Sequence, residues 1–366
     1  MLDKKYRDEA IAISKHDLSS LPRTVGWESP SNIALVKYWG KKGFQEPINP
    51  SISMTLSNMH TQTRIHYARA RNDQGRMWLR FNGMDNHPFG QRIQKYINSL
   101  ATYFPFLKKL DLHIDTRNSF PHSAGMASSA SAMSSLALAI CSIEQGLRED
   151  PLTTEHFSQK ASYMARLGSG SAARSIYGNY VEWGQHAYGS DEFAHPYAKK
   201  IREPLSFLHD SVLITSTEPK KMKSSSGHEL MDQHPYRQAR IGQALSNMEK
   251  ISRSLRDGDF HSFSEVAEEE ALSLHALMLA SRPGYTLLRQ ATIEIIDELR
   301  SFRQETGAEV TFTLDAGPNV HVLYPTREKE RIREWMNQKL KPLCEHGKML
   351  HDFTGTGPER LHNGPS

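Results

Sequence analysis

Four short stretches carry side chains that could do chemistry together. In "TFTLDAGPNVHVLY", Asp315 stands between an alternating strand pattern and a Gly-Pro turn. A carboxylate there either caps the turn or takes a proton from a substrate, and no local rule separates the two. In "SPSNIALVKYWGKK", Lys37, Lys41 and Lys42 crowd beside Tyr38 and Trp39, in a segment apolar enough for an inner strand. Lysines at the end of a buried strand are costly unless an anion meets them; the alternative, a solvated strand end, suits Lys42 better than Lys37. In "FPHSAGMASSASA", Pro121 and Gly125 turn the chain and Ser128 and Ser129 begin a helix, so unpaired N–H groups and hydroxyls converge where phosphate would bind. The competing reading is an Ala/Ser-rich helix packed on a sheet, with Ser128 as its N-cap. The fourth stretch, "RLGSGSAARS" at 166–175, fits a linker or a phosphate loop by composition.

Positioning these side chains requires strands first and a helix behind them. "SNIALVKYW", "PSISMTLS", "QTRIHYARA" and "RMWLRFNG" are short apolar or alternating runs bounded by Pro, Asn and Gly. "KKLDLHIDTRNSF" is a further strand leading into the Ser-rich start of a long helix. A helix is expected near 152–166 and a strand at "GNYVEWG", followed by an irregular polar connection over 187–204. "DSVLITSTE" restarts a strand, 228–300 carries long helical patterns with charged faces, and "EVTFTLDAGPNVHVLYP" reads as strand, tight turn and strand before a helix near 327–340. The first 20 residues are expected to form a polar helix or extension with little to bury. The natural division lies near residue 205.

With 366 residues, 38% hydrophobic and 23% charged, the chain has the size and composition of about two domains with cores of their own. Its formal charge of +4 is spread along the chain, which suits a small anionic ligand and argues against nucleic acid. Cys141 and Cys344 are the only cysteines, so neither a disulfide framework nor a Cys-based metal site is expected. The 18 histidines show no metal-ligand spacing, and "HELMDQH" puts His228 and His234 on different helix faces. There is no Gly-x-x-x-x-Gly-Lys-Ser/Thr loop, no His-Glu-x-x-His and no Cys-x-x-Cys, and "GSGSAA" lacks the last Gly of a dinucleotide fingerprint. The N-terminus is too polar for a signal peptide and no apolar run reaches the roughly 20 residues that span a membrane, so reducing cytoplasm is the expected location.

Taken together and in order, these segments resemble the GHMP superfamily of small-molecule kinases, and within it the mevalonate diphosphate decarboxylase family. "SNIALVKYWGK" resembles its N-terminal strand and "PINPSISMTLS" the segment after it. "FPHSAGMASSASA" is similar to its Pro-x-x-x-Gly-Leu-x-Ser-Ser-Ala phosphate loop, with Met126 in place of Leu. "RLGSGSAARSIYGNYVEW" resembles the substrate loop, "PKKMKSSSGHEL" the start of the C-terminal domain and "FTLDAGPNV" the catalytic Asp turn. The likeness runs from about residue 24 to the end.

The resemblance implies a two-domain α+β fold. Residues 1–20 would be a polar extension, and 21–205 an ATP-binding N-terminal domain with a left-handed βαβ unit and phosphate loop. Residues 206–366 would be a ferredoxin-like C-terminal domain, whose final segment could return to the first. It also implies the substrates, ATP with Mg²⁺ and mevalonate 5-diphosphate: the tertiary 3-hydroxyl is phosphorylated, then phosphate and CO₂ are lost to give isopentenyl diphosphate. On this likeness Asp315 faces the 3-hydroxyl and, as a weak base toward an alcohol, serves mostly by orientation and late proton acceptance. Lys37 offsets charge on the transferred phosphoryl. Arg174 fits the carboxylate with its planar fork, as a positioner more than an electron sink. Tyr38, Lys41, Ser169 and, less securely, Arg76 reach the substrate; Ser123, Gly125, Ala127, Ser128 and Ser129 hold ATP, with Ser128 also toward Mg²⁺. A homodimer is common in the family. Rival readings share the fold: a phosphomevalonate decarboxylase, a mevalonate 3-kinase, or a binding protein on a dead kinase fold.

Overall fold

The computed structural model describes residues 2–13, 23–85, 89–120, 127–185, 190–197, 199–218, 222 and 224–362. Its elements in chain order begin with α1 (Leu2–Ile13), β1 (Arg23–Val36), β2 (Ser51–Arg69), β3 (Met77–Phe81), α2 (Phe89–Leu100) and β4 (Leu110–Asn118). Then come α3 (Ser128–Leu147), α4 (Thr154–Gly168) and β5 (Tyr180–Trp183). The second half holds β6 (Leu208–Leu213), α5 (Ser224–Glu229), α6 (Arg237–Asp257), α7 (Phe260–Ala280), α8 (Gln290–Thr306), β7 (Thr311–Leu314), β8 (Val320–Pro325), α9 (Lys329–Lys339), β9 (Met349–Phe353) and β10 (Glu359–Arg360).

The first domain is a sheet in the order β10-β1-β2-β4-β3, with β5 continuing on β2. Most pairs are antiparallel; β3 and β4 run parallel, with α2 between them in sequence. β2 explains itself by its pattern. From Met59 onward buried and more exposed residues alternate, one face on the core and one toward water, whereas residues 51–56 are buried throughout. That first half is covered on both sides, because Ile52, Met54 and Leu56 share a core with Leu208, Val212, Met248, Ile251 and Phe263 of the second domain. The end of β1, with Ile33, Leu35 and Val36, lies in the same seam.

α3 is an Ala/Ser helix because it must approach the sheet closely. Ser131, Ser134 and Ser135 are fully buried, and each hydroxyl meets one on the sheet: Thr61 at 2.7 Å, Ser29 at 2.6 Å and Thr63 at 2.7 Å. Its N-cap position is Ala127, in the left-handed region at φ 46°, so Ser128 is the first helical residue and not the cap.

The second domain runs β6, helices, β7, β8, α9, β9, with sheet order β7-β8-β6-β9, all antiparallel. This βαββαβ order is the ferredoxin-like arrangement that the family resemblance implied. The chain then crosses back, and β10 pairs with Trp27 and Glu28 of β1. One expectation is corrected. α1 buries Tyr6 completely, its ring 5.1 Å from that of Tyr163, while Lys160 reaches Glu9 of the helix at 2.8 Å and Glu144 of α3 at 2.6 Å. An aromatic seated in the core and a buried ion pair make α1 part of the first domain. The polar composition concealed this because few apolar residues, Tyr6 and Ala10 with Leu2 beside the core, seat the helix.

Candidate active site

Lys37 follows the last residue of β1, just past a register shift between Ala34 and Val36. Its ammonium folds back to donate to the carbonyl of Ala34 at 2.5 Å and to Oδ1 of Asp315 at 3.2 Å. Lys37 is 2% exposed, whereas the Asp315 side chain is 24% exposed, so one carboxylate faces both a buried cation and open space. Asp315 leaves β7 into a tight turn closed by Gly317 N–H on its carbonyl at 2.7 Å. Nε2 of His275, on α7, lies 3.1 Å from the same carbonyl, which can only accept; the proton is therefore on Nε2. Burial drives the Lys37 amine below the lysine value of 10.5, opposed chiefly by Asp315 and then by Glu270.

Arg174 sits in the 3₁₀ turn Gly170–Ile176 and is 3% exposed. Its fork is fully engaged from one side. Nη1 donates to Ser51 Oγ at 2.8 Å, and Nε and Nη2 to Asn32 Oδ1 at 3.4 and 3.3 Å, with the guanidinium 5.7 Å from the centre of the Trp183 ring. Asn32 is held in turn by Ser175 Oγ at 2.8 Å and the Ser171 carbonyl at 3.2 Å. Burial pulls Arg174 down to about 10, with Asp315 and Tyr38 opposing, which leaves it a cation at neutral pH.

Tyr38 lies between two other rings, tilted against each. Its ring lies 4.8 Å from that of Trp183 and 4.4 Å from that of His228, and burial raises the phenol so that it is a neutral donor. Glycine at 170 is what lets this happen: a Cβ there would stand 2.7 Å from the Tyr38 hydroxyl. His228, from α5 of the second domain, also faces Trp39 at 4.6 Å and accepts from Gly40 N–H through Nδ1 at 3.0 Å. Burial, with Lys41 and Arg174 adding to it, lowers His228 to about 3, so it is neutral with its proton on Nε2. Lys41 lies at the rim, 3.9 Å from Glu229.

The start of α3 completes the site. Among the described residues no side chain caps it, and its first turn has no acid, while Ser128 and Ser129 are half-buried there. Ser129 Oγ is 3.4 Å from Ser169 Oγ, which ties the helix start to the Arg174 turn. Open N–H groups and hydroxyls at a helix N-terminus are a donor set for phosphate.

Residues 29–194 match the family model described as diphosphomevalonate decarboxylase-like N-terminal domain, and residues 211–359 that of the mevalonate 5-diphosphate decarboxylase C-terminal domain. The diphosphomevalonate decarboxylase of Bos taurus is 32% identical over 314 residues, covering 80% of this chain and 75% of that protein. The chain belongs to the diphosphomevalonate decarboxylase family. The solved mevalonate diphosphate decarboxylase of Staphylococcus aureus is 30% identical, with a TM-score of 0.80 over 94% of this chain and all of that one. A structure of MDDEF in complex with MVAPP, AMPPCP and magnesium has the same fold, at 24% identity and a TM-score of 0.77 over 93% of this chain and 99% of that one.

On this decarboxylase fold the structure brings together Lys37, Tyr38, Arg174, Ser169, Ser129 and Asp315 through the contacts above. Arg76 stays apart: it is exposed just ahead of β3, at the end of the sheet away from Lys37, its main-chain N–H on Asp111 at 3.0 Å. Ser123 and Gly125 lie outside the described residues. Sequence reasoning passed over Asn32, Ser51, Trp183, His228 and His275, and also Glu270. Only Glu270 left a signal: it falls in the apolar stripe Phe263, Ala267, Leu274, Leu277 of α7, where a carboxylate has no business unless it is paired.

Proposed function

We propose that this chain catalyses the ATP-dependent decarboxylation of mevalonate 5-diphosphate, giving isopentenyl diphosphate, ADP, phosphate and CO₂. The observation that carries the reading is the Lys37–Asp315 pair at the seam between the domains, with a buried Arg174 electrostatically coupled to the same carboxylate. Asp315 orients the 3-hydroxyl and accepts its proton as that oxygen attacks the terminal phosphorus of ATP and ADP departs. Lys37, fixed and desolvated, offsets the negative charge that spreads over the transferring phosphoryl. The phosphate then leaves C3 with its electron pair. The bond to the carboxylate breaks, its electrons form the double bond, and CO₂ is released.

Arg174 holds that carboxylate in line. A grip equal in ground and transition states would not hasten its departure, so its service is orientation. Tyr38, as a neutral donor, binds the diphosphate together with Lys41, and Ser169 the substrate beside them. Ala127, Ser128 and Ser129 present N–H and hydroxyl groups to the ATP phosphates. When bound, magnesium would neutralise part of the phosphate charge. Ser128 would be its protein ligand, in keeping with a hard cation that prefers oxygen and keeps much of its shell from phosphate and water.

The test is to incubate the purified protein with Mg-ATP and, separately, mevalonate, its 5-phosphate and its 5-diphosphate, following ADP and CO₂. Both products are expected together with the 5-diphosphate. ADP without CO₂ would make it a kinase, preference for the monophosphate would move the substrate, and no ADP with any would overturn the enzymatic reading.

A further inference from the structure

α7 reaches the site at two points along its length. Glu270 Oε2 accepts the main-chain N–H of Lys37 at 2.8 Å, and five residues on, Nε2 of His275 donates to the main-chain carbonyl of Asp315 at 3.1 Å. Both of these bonds go to the main chain of the residue that is held. Glu270 is fully buried and saturated: Arg240 of α6 donates to Oε1 at 2.7 Å and to Oε2 at 2.6 Å, and Asn247 to Oε1 at 2.8 Å. The same Arg240 donates through Nη2 to the Lys37 carbonyl at 2.9 Å, as does Asn49 Nδ2 at 3.0 Å. Both polar groups of the Lys37 peptide are thus held, and two of the three holders belong to the other domain.

Such a cluster is hard to explain by stability alone. A buried ion pair is commonly no more stabilising than apolar residues of the same volume, while it fixes geometry closely. Here it fixes the residue at which β1 crosses into the site, and a reaction that depends on in-line geometry loses rate steeply with small displacements.

We propose that α7 sets the gap between Lys37 and Asp315, with Glu270, braced by Arg240, and His275 as positioning residues for phosphoryl transfer; this rests on the function proposed above. The consequence is that the site assembles only when the C-terminal domain is docked, because Lys37 comes from the N-terminal domain and its main-chain holders from both.

Two variants test it. Glu270→Gln keeps the shape but loses the charge that Arg240 needs. The double variant Arg240→Met with Glu270→Leu removes both buried charges together and so keeps the fold while abolishing the brace. Crystal structures of the two are expected to show the Lys37 ammonium beyond hydrogen-bond reach of Asp315. That arm judges the positioning even if the substrate assignment fails, which the wild-type assay decides on its own. In steady-state kinetics with Mg-ATP and mevalonate 5-diphosphate, kcat should fall roughly 10²-fold while both KM values stay within about threefold. A folded double variant with the Lys37–Asp315 distance and kcat of wild type would overturn the proposal, as would a loss confined to KM.

Discussion

Lys37 and Asp315 are 278 residues apart in the chain, yet the ammonium of one lies 3.2 Å from the carboxylate of the other. One belongs to the end of β1 and the other to the turn between β7 and β8, so the pair exists only where the domains meet. A buried ammonium beside a partly exposed carboxylate fixes the position of the group that, in the proposed reaction, faces the substrate hydroxyl.

Replacing that carboxylate isolates its function. Asp315→Asn keeps the size and the turn but cannot accept a proton, and it leaves the buried ammonium without its nearest counter-charge. Turnover should drop by roughly 10²–10⁴-fold. ATP affinity, measured by titration calorimetry, should be nearly unchanged, because the nucleotide phosphates are assigned to the start of α3. Turnover close to wild type would mean that another group takes the proton.

The Lys37 amine titrates below the lysine value of 10.5, since burial lowers it more than Asp315 and Glu270 raise it. The working form is the cation. Activity that needs it is therefore present at pH values below the lowered pKa and is lost as pH rises through it. A profile of kcat/KM should show an alkaline limb lying below 10.5, and in Asp315→Asn what remains of that limb should move further toward acid, because the main opposing charge is gone. A limb that stays at the same pH would assign it to another group.

Arg174→Lys preserves a cation but loses the fork that spans Ser51 and Asn32, and with it the fixed plane over Trp183. The expected result is a fall in kcat for CO₂ release of roughly 10²-fold, with KM for ATP little altered. A variant that matches wild type would remove Arg174 from the carboxylate.

Gly170→Ala is a one-atom test of the wall between the Arg174 turn and Tyr38. The new Cβ would stand 2.7 Å from the Tyr38 hydroxyl and 2.9 Å from two ring atoms, so the ring must shift. KM for mevalonate 5-diphosphate should rise about tenfold or more, the scale of one displaced hydrogen bond to a charged group, while KM for ATP holds. Unaltered kinetics would mean that Tyr38 does not bind the diphosphate.

Much of this was legible locally. Alternating runs predicted the strands, the Asp-Ala-Gly-Pro-Asn composition predicted the turn after β7, and a Ser-rich start predicted the helix whose N-terminus opens on the site; each depends on neighbours within a few residues. The family likeness added Lys37, Arg174 and Asp315 as a set. The sequence favoured Lys37 over Lys42 as the inward lysine, but could not say what would hold it there. Lys37 goes inward because its peptide is held by Arg240, Asn49 and Glu270, whereas Lys42 is half exposed and paired with Asp191. Nor could it say that Tyr6 anchors α1, or that His228 closes over Tyr38 and Trp39. Asn49 apart, which is 12 residues from Lys37, those outcomes are set by partners roughly 150 to 230 residues away, and periodicity is blind to such distances because it registers only which face of an element is buried. Residue type and order therefore determined the elements and the chemical groups on offer. The docking of α6 and α7 onto the end of β1 decided which of those groups meet, since there the Lys37 peptide is held from both domains and its ammonium is brought to the Asp315 carboxylate.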